Sequence, residues 1–411
     1  MLKLLAVTLG IGATLSVTPL DSSLSLSTQD PATALDFIDT GIENGSPLWY
    51  EIVDHVIRLN LLYDHERSSP NRAAGHIHFL LHARPGASFT LEFRNLDNVW
   101  NGQPGSVAGE LKTVALSDDA KVWRTVPTDS LPGNRVRLHV TMTGPRLYVA
   151  RMEPYRLSDL DRLLETIRSH RLVRIESIGQ TAGGRQLEII RIGDPAAPHP
   201  VFVRARAHPW EAGSNWVVQG LIDRLLAGDE EITRFLRVYN VSVLPMANKD
   251  GVARGATRFN LRGMDLNRNW DQPADPELSP ENAALERWLD GEIAAGRKPH
   301  LALELHNDGN GLLHISRPPI PRLEQHLARM KTLEMLLRRY TWFTEGTTSP
   351  AFRNSGTLGD GWLLRYGIDA TVHEFNCNWI EGLKQPSSSQ HWREYGAGLA
   401  RVFYEYFETL P

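Results

Sequence analysis

Short stretches in which apolar and polar residues alternate dominate the chain from about residue 35 to Tyr155. Ile77, Phe79 and Leu81 alternate with His76, His78 and His82; Phe89, Leu91 and Phe93 follow the Arg84-Pro85-Gly86 turn; Val136, Leu138 and Val140 follow Pro132-Gly133-Asn134. A period of two broken by turn residues predicts an antiparallel β-sandwich whose strands each turn one apolar face inward and one polar face outward. On that reading His76, His78 and His82 make a polar outer face rather than a metal site.

The period changes at Ser158. Ser158-Asp159-Leu160-Asp161 reads as a helix cap, and Leu160, Leu163, Leu164 and Ile167 recur at helical spacing. A hairpin is expected around Gly183-Gly184, after which compact apolar strands such as Val201-Phe202-Val203 and Val241-Ser242-Val243-Leu244 alternate with helical segments. One helix is expected from Trp216 to Leu226, and another after Ser279-Pro280, with Ser as cap and Pro at the first helical position. Strands alternating with helices imply an α/β domain. The expected organisation is a leader and linker over residues 1–34, an antiparallel β-sandwich over 35–155, and a mixed, largely parallel sheet flanked by helices over 156–411.

A chain of 411 residues, 41% of them hydrophobic, can bury two cores of this kind. Its 44 basic and 48 acidic residues nearly cancel without a Lys/Arg block, which argues against a nucleic-acid partner. Cys377 is the only cysteine, so there is neither an intrachain disulfide nor a cysteine-rich zinc module, and any metal must be held by His, Asp and Glu. The apolar run Leu4 to Val17 after Lys3 has the length of an export-signal core and is too short to span a bilayer. No A-x-A site follows it, which leaves export and a plain N-terminal segment both open. No other segment approaches membrane-spanning length.

The chemistry-bearing residues are scattered. His208-Pro209-Trp210-Glu211 sits between an apolar strand and a helix, at the strand C-terminus where open α/β sheets place ligands. A third donor is needed for catalytic zinc, and His306 at the end of Leu301-Ala302-Leu303-Glu304-Leu305 is the candidate, with Glu304 or Asp308 able to orient its imidazole. Between them lies a long, glycine-punctuated polar segment, from Asn248-Lys249-Asp250-Gly251-Val252 to Asp265-Leu266-Asn267-Arg268-Asn269-Trp270. Its Arg258 and Arg268 offer forked donors to a carboxylate or an oxyanion.

The ordered set His208-x-x-Glu211, Asn248-x-Asp250-Gly251-Val252, Arg258, Asp265-Leu266-Asn267-Arg268, His306 and Glu374 resembles the zinc metallocarboxypeptidases, most of all the cytosolic carboxypeptidase-like branch. That branch also carries a β-sandwich before its catalytic domain, and Met152-Glu153-Pro154-Tyr155 with Ser158-Asp159-Leu160 looks like its junction. The resemblance runs from about residue 35 to the C-terminus. It implies one zinc ion on His208, Glu211 and His306, Arg258 stabilising the oxyanion, Asn267 and Arg268 holding the C-terminal carboxylate of a peptide or protein substrate, and Glu374 as general base and acid. The chemistry is coherent: zinc brings a water towards a pKa of ~7, and a carboxylate within reach can take and return its proton.

Two departures stand out. Deglutamylating members of the branch are expected to carry a basic residue in the pocket before the catalytic glutamate, where this chain has Gly356-Thr357-Leu358-Gly359-Asp360-Gly361-Trp362. If Asp360 lines the pocket, a released Lys, Arg or other amine-bearing residue is favoured over glutamate. The tyrosine that many members close over the substrate has only Tyr340 and Tyr366 as candidates. Alternatives are a zinc amidase acting on cell-wall peptides or small amides, and a catalytically inactive module that binds C-termini through Arg268. Cys377 has no Cys-His-Asn arrangement around it and is expected to be buried packing.

Overall fold

The computed structural model describes residues 30–65, 72–100, 103–353 and 356–409. The apolar run Leu4 to Val17 lies outside them. Of the expected linker, residues 31–34 form the short helix Pro31–Ala34.

Ten strands make two facing five-stranded sheets. One runs Leu35–Asp39, His78–Ala83, Arg146–Ala150, Thr113–Ser117, Arg124–Pro127, every neighbouring pair antiparallel. The other runs Asp129–Leu131, Arg135–Thr141, Ser88–Arg94, Val56–Leu61, Leu48–Val53, antiparallel except where Val56–Leu61 lies parallel to Ser88–Arg94. Phe79, Leu81, Phe89, Leu91, Phe93, Val136, Leu138 and Val140 share one core between the sheets, as the alternation requires.

The outward histidines are a correction. His76 and His78 are buried, and only His82 keeps partial exposure, stacked on Phe37. The face opposite the core is covered locally by the segment around Asn44 and, at His76, by the second half of the chain. His76 Nε2 lies 2.9 Å from Asn44 O, and its backbone N–H donates to Thr257 Oγ1 at 3.1 Å. Burial presses the His76 imidazole down to about 3 and that of His78 to about 4, so both are neutral at ordinary pH.

The second half is a seven-stranded sheet in the order Val173–Gln180, Gln186–Ile192, Tyr239–Leu244, His199–Ala205, Leu301–Asp308, Asp369–Asn376, Leu313–Ile315. The four strands from Tyr239–Leu244 to Asp369–Asn376 are parallel, and the edges are antiparallel. Alternation sends Val201, Val203, Leu301, Leu303 and Leu305 to one helix-covered face and Phe202 and Ala302 to the other. The first face carries Ala212–Leu225, Leu323–Tyr340 and Ser389–Thr409; the second carries Pro280–Ala294 and Leu358–Tyr366. Truncating a fully buried leucine such as Leu303 to alanine is expected to cost about 2–5 kcal/mol. Helix Ala212–Leu225 meets Ser389–Thr409 backbone to backbone, because a Cβ on Gly396 would stand 1.9 Å from Val217 O.

Ser158 is not the cap. The cap is Arg156, two residues earlier, at the start of helix Leu157–Ile167, with the Asp159 carboxylate accepting the Arg156 N–H at 2.8 Å, while Ser158 donates its N–H and hydroxyl to Glu43. Strand Leu301–Asp308 also runs past the expected end, so His306 lies within it. No described helix is long and apolar enough to cross a membrane.

Candidate active site

The site forms at the C-terminal ends of the parallel strands. After His199–Ala205 the chain turns through Arg206 in the left-handed region (φ 60), a conformation that costs an arginine roughly 1–3 kcal/mol. The buried side chain holds the turn, with Nε donating to Pro209 O at 2.6 Å and Nη1 to Asn215 Oδ1 at 2.8 Å. The turn brings His208 and Glu211 inward, and Glu211 is the N-cap of Ala212–Leu225.

His208, Glu211 and His306 converge. Glu211 Oε1 lies 2.8 Å from His208 Nδ1, Glu211 Oε2 lies 2.7 Å from His306 Nδ1, and the two Nδ1 atoms are 3.1 Å apart. All three residues are at most 3% exposed. The outer nitrogens are braced: His208 Nε2 lies 3.1 Å from Asp265 Oδ1, and His306 Nε2 lies 3.5 Å from Glu304 Oε1. A carboxylate behind each Nε2 favours a proton there and leaves the Nδ1 lone pair facing its neighbours, the arrangement a metal cation satisfies. Two imidazoles and a carboxylate form a donor set suited to catalytic zinc.

The electrostatics run the same way. Burial would raise the Glu211 carboxyl, but His208 and His306 hold it well below the usual carboxylate range. Burial would lower the His306 imidazole, but Glu211 and Glu304 raise it well above its ordinary value. Burial would raise Asp265, but Arg258 and His208 hold it far down. Glu304 is in turn gripped by the buried Arg204, whose Nη1 donates to Oε1 at 2.6 Å.

Glu304 rather than Asp308 stands behind His306; Asp308 accepts instead from the N–H groups of Asn310 and Gly311 at 2.8 and 2.6 Å. Glu374 pairs in parallel register with His306 on the neighbouring strand. Its Oε2 has no hydrogen-bond partner among the described residues, and burial, with Asp308 and Glu211 nearby, raises its pKa well above the usual range although His306 opposes this. Arg258 Nε donates to Asp265 Oδ2 at 2.8 Å, and Arg268 Nη1 to Asn267 O at 2.7 Å. Asn267 Oδ1 accepts the Leu358 N–H at 3.0 Å, and the side chain packs beside His306, with Nδ2 3.1 Å from Nε2.

Asp360 lines a cavity of about 260 Å³ together with Asp271, His314, Arg317, Arg353 and Phe352. His314 links this cavity to the centre, since a donor atom of its ring lies within 4.8 Å of carboxylate oxygens of Asp308 and Glu374. The Tyr340 ring meets Arg339 and Arg401, and Tyr366 packs beside the cluster of Trp362 and Leu285, so neither gains support as a substrate-closing tyrosine. Cys377 is buried, with Arg151 Nη2 donating to its sulfur at 3.3 Å.

Sequence reasoning named Glu304 behind His306 but missed the other braces. Asp265 stood in the quoted motif without a role, and Arg204 and Arg206 gave no signal beyond being arginines at the end of an apolar strand. Trp210 was also passed over. Its indole N–H donates to Glu211 Oε1 at 3.2 Å while its ring enters the core of the N-terminal sheets, with the Arg151 guanidinium 3.4 Å from the ring centroid.

A family profile described as zinc carboxypeptidase matches residues 160–302. Human cytosolic carboxypeptidase 6 is 35% identical over 260 residues, covering 57% of this chain and 50% of that protein. A Zymomonas mobilis protein, ZMO1242, is 27% identical over 176 residues, 43% of this chain and 45% of its own length. Zebrafish cytosolic carboxypeptidase 1 is 35% identical over 106 residues, 26% of this chain and 9% of its own length. The chain thus spans half the length or less of these curated relatives. Among solved structures, a metallo-carboxypeptidase from Burkholderia cenocepacia superposes with a TM-score of 0.78 at 21% identity, over 91% of this chain and 99% of that one. A Pseudomonas aeruginosa metallo-carboxypeptidase in complex with (2-guanidinoethylmercapto)succinic acid gives 0.72 at 21% identity, over 90% and 98%. These two share the fold.

Proposed function

The chain belongs to the zinc carboxypeptidase family, and from that premise we propose that it hydrolyses the C-terminal peptide bond of peptides or proteins. The carrying observation is the convergence of His208 Nδ1, His306 Nδ1 and the Glu211 carboxylate, with a carboxylate behind each imidazole, beside a Glu374 oxygen without a hydrogen-bond partner among the described residues. His208, Glu211 and His306 would hold one zinc ion, which when bound supplies Lewis acidity and lowers the pKa of water towards ~7.

The protein's own groups divide the remaining work. Glu374 takes a proton from the attacking water and returns it to the departing amine, a task that suits a half-buried carboxylate of raised pKa. The Arg258 guanidinium, fixed by Asp265, stabilises the charge that develops on the scissile carbonyl oxygen. Arg268 holds the substrate's terminal carboxylate, with Asn267 beside it. An internal peptide bond offers Arg268 no carboxylate, which favours removal from the end over cleavage within a chain. Asp360 on the cavity wall reads the side chain of the released residue.

A second reading keeps the metal chemistry and changes the substrate. The cavity wall carries two carboxylates, Asp271 and Asp360, and two guanidiniums, Arg317 and Arg353. Both signs together suit a released residue whose side chain bears an amine and a carboxylate, as in cell-wall peptides.

The test is mass spectrometry of products from a peptide library varied at the C-terminus and including cell-wall peptides, with zinc quantified in the same preparation. Loss of single C-terminal residues, stopped by chelation and restored by zinc, is expected. Cleavage within chains, or no cleavage by zinc-loaded protein, refutes the reading.

A further inference from the structure

The loop that carries Arg258 is held by a residue far away in the sequence. Asp64 follows strand Val56–Leu61 of the N-terminal sheets, yet its carboxylate accepts three consecutive backbone N–H groups: Oδ1 from Thr257 at 2.6 Å, and Oδ2 from Arg258 and, at 3.0 Å, from Phe259. Successive amides pointing at one carboxylate form an anion-binding concavity, and hydrogen bonds to an ionised acceptor are about twice as strong as neutral ones.

Neighbouring contacts press the loop onto the same surface. Asn44 Nδ2 donates to Val252 O at 2.8 Å, and the His76 N–H donates to Thr257 Oγ1 at 3.1 Å. Gly255 sits at φ +63, where a Cβ would be 1.9 Å from Gly45 O. On the far side, Arg258 Nε donates to Asp265 Oδ2 at 2.8 Å, and Asp265 Oδ1 lies 3.1 Å from His208 Nε2. An unbroken series of hydrogen bonds thus runs from the N-terminal sheets through Arg258 to the histidine of the metal triad.

A donor that stabilises developing charge is effective only if it is in place before the charge appears, and misplacement by about 1 Å can cost ~10²-fold in rate. We propose that Asp64 is a positioning residue for the Arg258 guanidinium, which makes the N-terminal sheets a working part of the active site rather than a separate module. Asp64 belongs neither to the metal triad nor to the wall of the Asp360 cavity. Its role rests on the Arg258 assignment given above.

The experiment uses the full chain with zinc bound and compares Asp64→Asn, Arg258→Ala, the double variant, and Glu43→Ala. Glu43 accepts the Ser158 N–H at 2.8 Å and the Ser158 hydroxyl at 2.6 Å, so its loss loosens the junction between the two halves without touching the loop. Asp64→Asn is expected to lower kcat about 10- to 100-fold with KM within about twofold and zinc content unchanged. In the Arg258→Ala background the same substitution should change kcat by less than about twofold, because its effect passes through that guanidinium. Glu43→Ala should lower the melting temperature and leave kcat as in the parent. Hydrogen exchange at the amides of residues 257–259 should be slow in the parent, fast in Asp64→Asn, and slow in Glu43→Ala.

Equal kcat in Asp64→Asn and Glu43→Ala, or full additivity in the double variant, overturns the proposal. If Asp64→Asn does not fold, rapid exchange at 257–259 in the parent overturns it and slow exchange supports it. Failure of the underlying reading looks different: Arg258→Ala would itself retain parental kcat.

Discussion

The metal triad and the Asp360 cavity are joined by His314, yet they are built on opposite plans. Each triad donor comes from the end of a parallel strand or the turn beyond it and is almost fully buried; Asp265 stands behind the outer nitrogen of His208 and Glu304 behind that of His306, while the Trp210 indole N–H donates to Glu211 Oε1. The cavity wall is gathered mostly from loops and a helix start, at residues 316–319, 352–353, 356–357 and 360, with His314 and Ile315 on the edge strand; it mixes both signs of charge and includes Arg353, whose guanidinium bonds backbone carbonyls of its own loop. Bond cleavage needs donors fixed to a fraction of an ångström, whereas selection among side chains works through charge and volume over a longer reach. Rigid elements therefore carry the first and loops the second.

That contrast can be broken most directly at the triad. His306→Ala should abolish both zinc binding, read by elemental analysis, and peptide hydrolysis; zinc retained at one equivalent would remove His306 from the donor set. Glu374→Gln should keep its zinc and lose about 10³-fold in kcat, since a positioned general base contributes on the order of 10²–10⁴-fold. Parental turnover in that variant would transfer the proton work elsewhere.

Acid tests the wall behind the triad. His76 and His78 have folded pKa values of about 3 and about 4 against an ordinary 6.5, so between those values the unfolded chain binds more protons than the folded one. Stability is then full above about pH 6.5 and falls as the pH drops towards 4 and then 3. At pH 5 each histidine costs roughly 2 kcal/mol, from one and a half pH units at about 1.36 kcal/mol per unit. Urea unfolding at pH 7.5 and pH 5 measures this, and a pH-independent midpoint would contradict the burial of both rings. The smallest effect belongs to the cavity. Asp360→Asn should lower the ratio of Lys to Phe release about 10-fold, read from paired peptides, and an unchanged ratio would remove Asp360 from side-chain recognition.

The sequence by itself determined the kinds of element and the donors of the triad. Alternation before Tyr155 and apolar strands interleaved with helices after Ser158 report which faces are buried, because the side-chain period follows from backbone geometry alone. His208, Glu211 and His306 were legible through the resemblance carried by the ordered motif set, helped by a place at or near the ends of apolar strands, where an open sheet exposes its ligands; the strand of His306 runs on to Asp308. Only the tertiary structure decided what lies behind those residues. A strand's pattern separates its two faces but does not say whether solvent or another part of the chain covers the polar one, which is why His76 and His78 turned out to be buried. The choice of Glu304 over Asp308, the braces Asp265 and Arg204, and the Asp64 carboxylate beneath the Arg258 loop rest on contacts between residues that lie far apart along the chain or carry no local pattern. Such contacts depend on distance in space, which packing sets and periodicity does not encode.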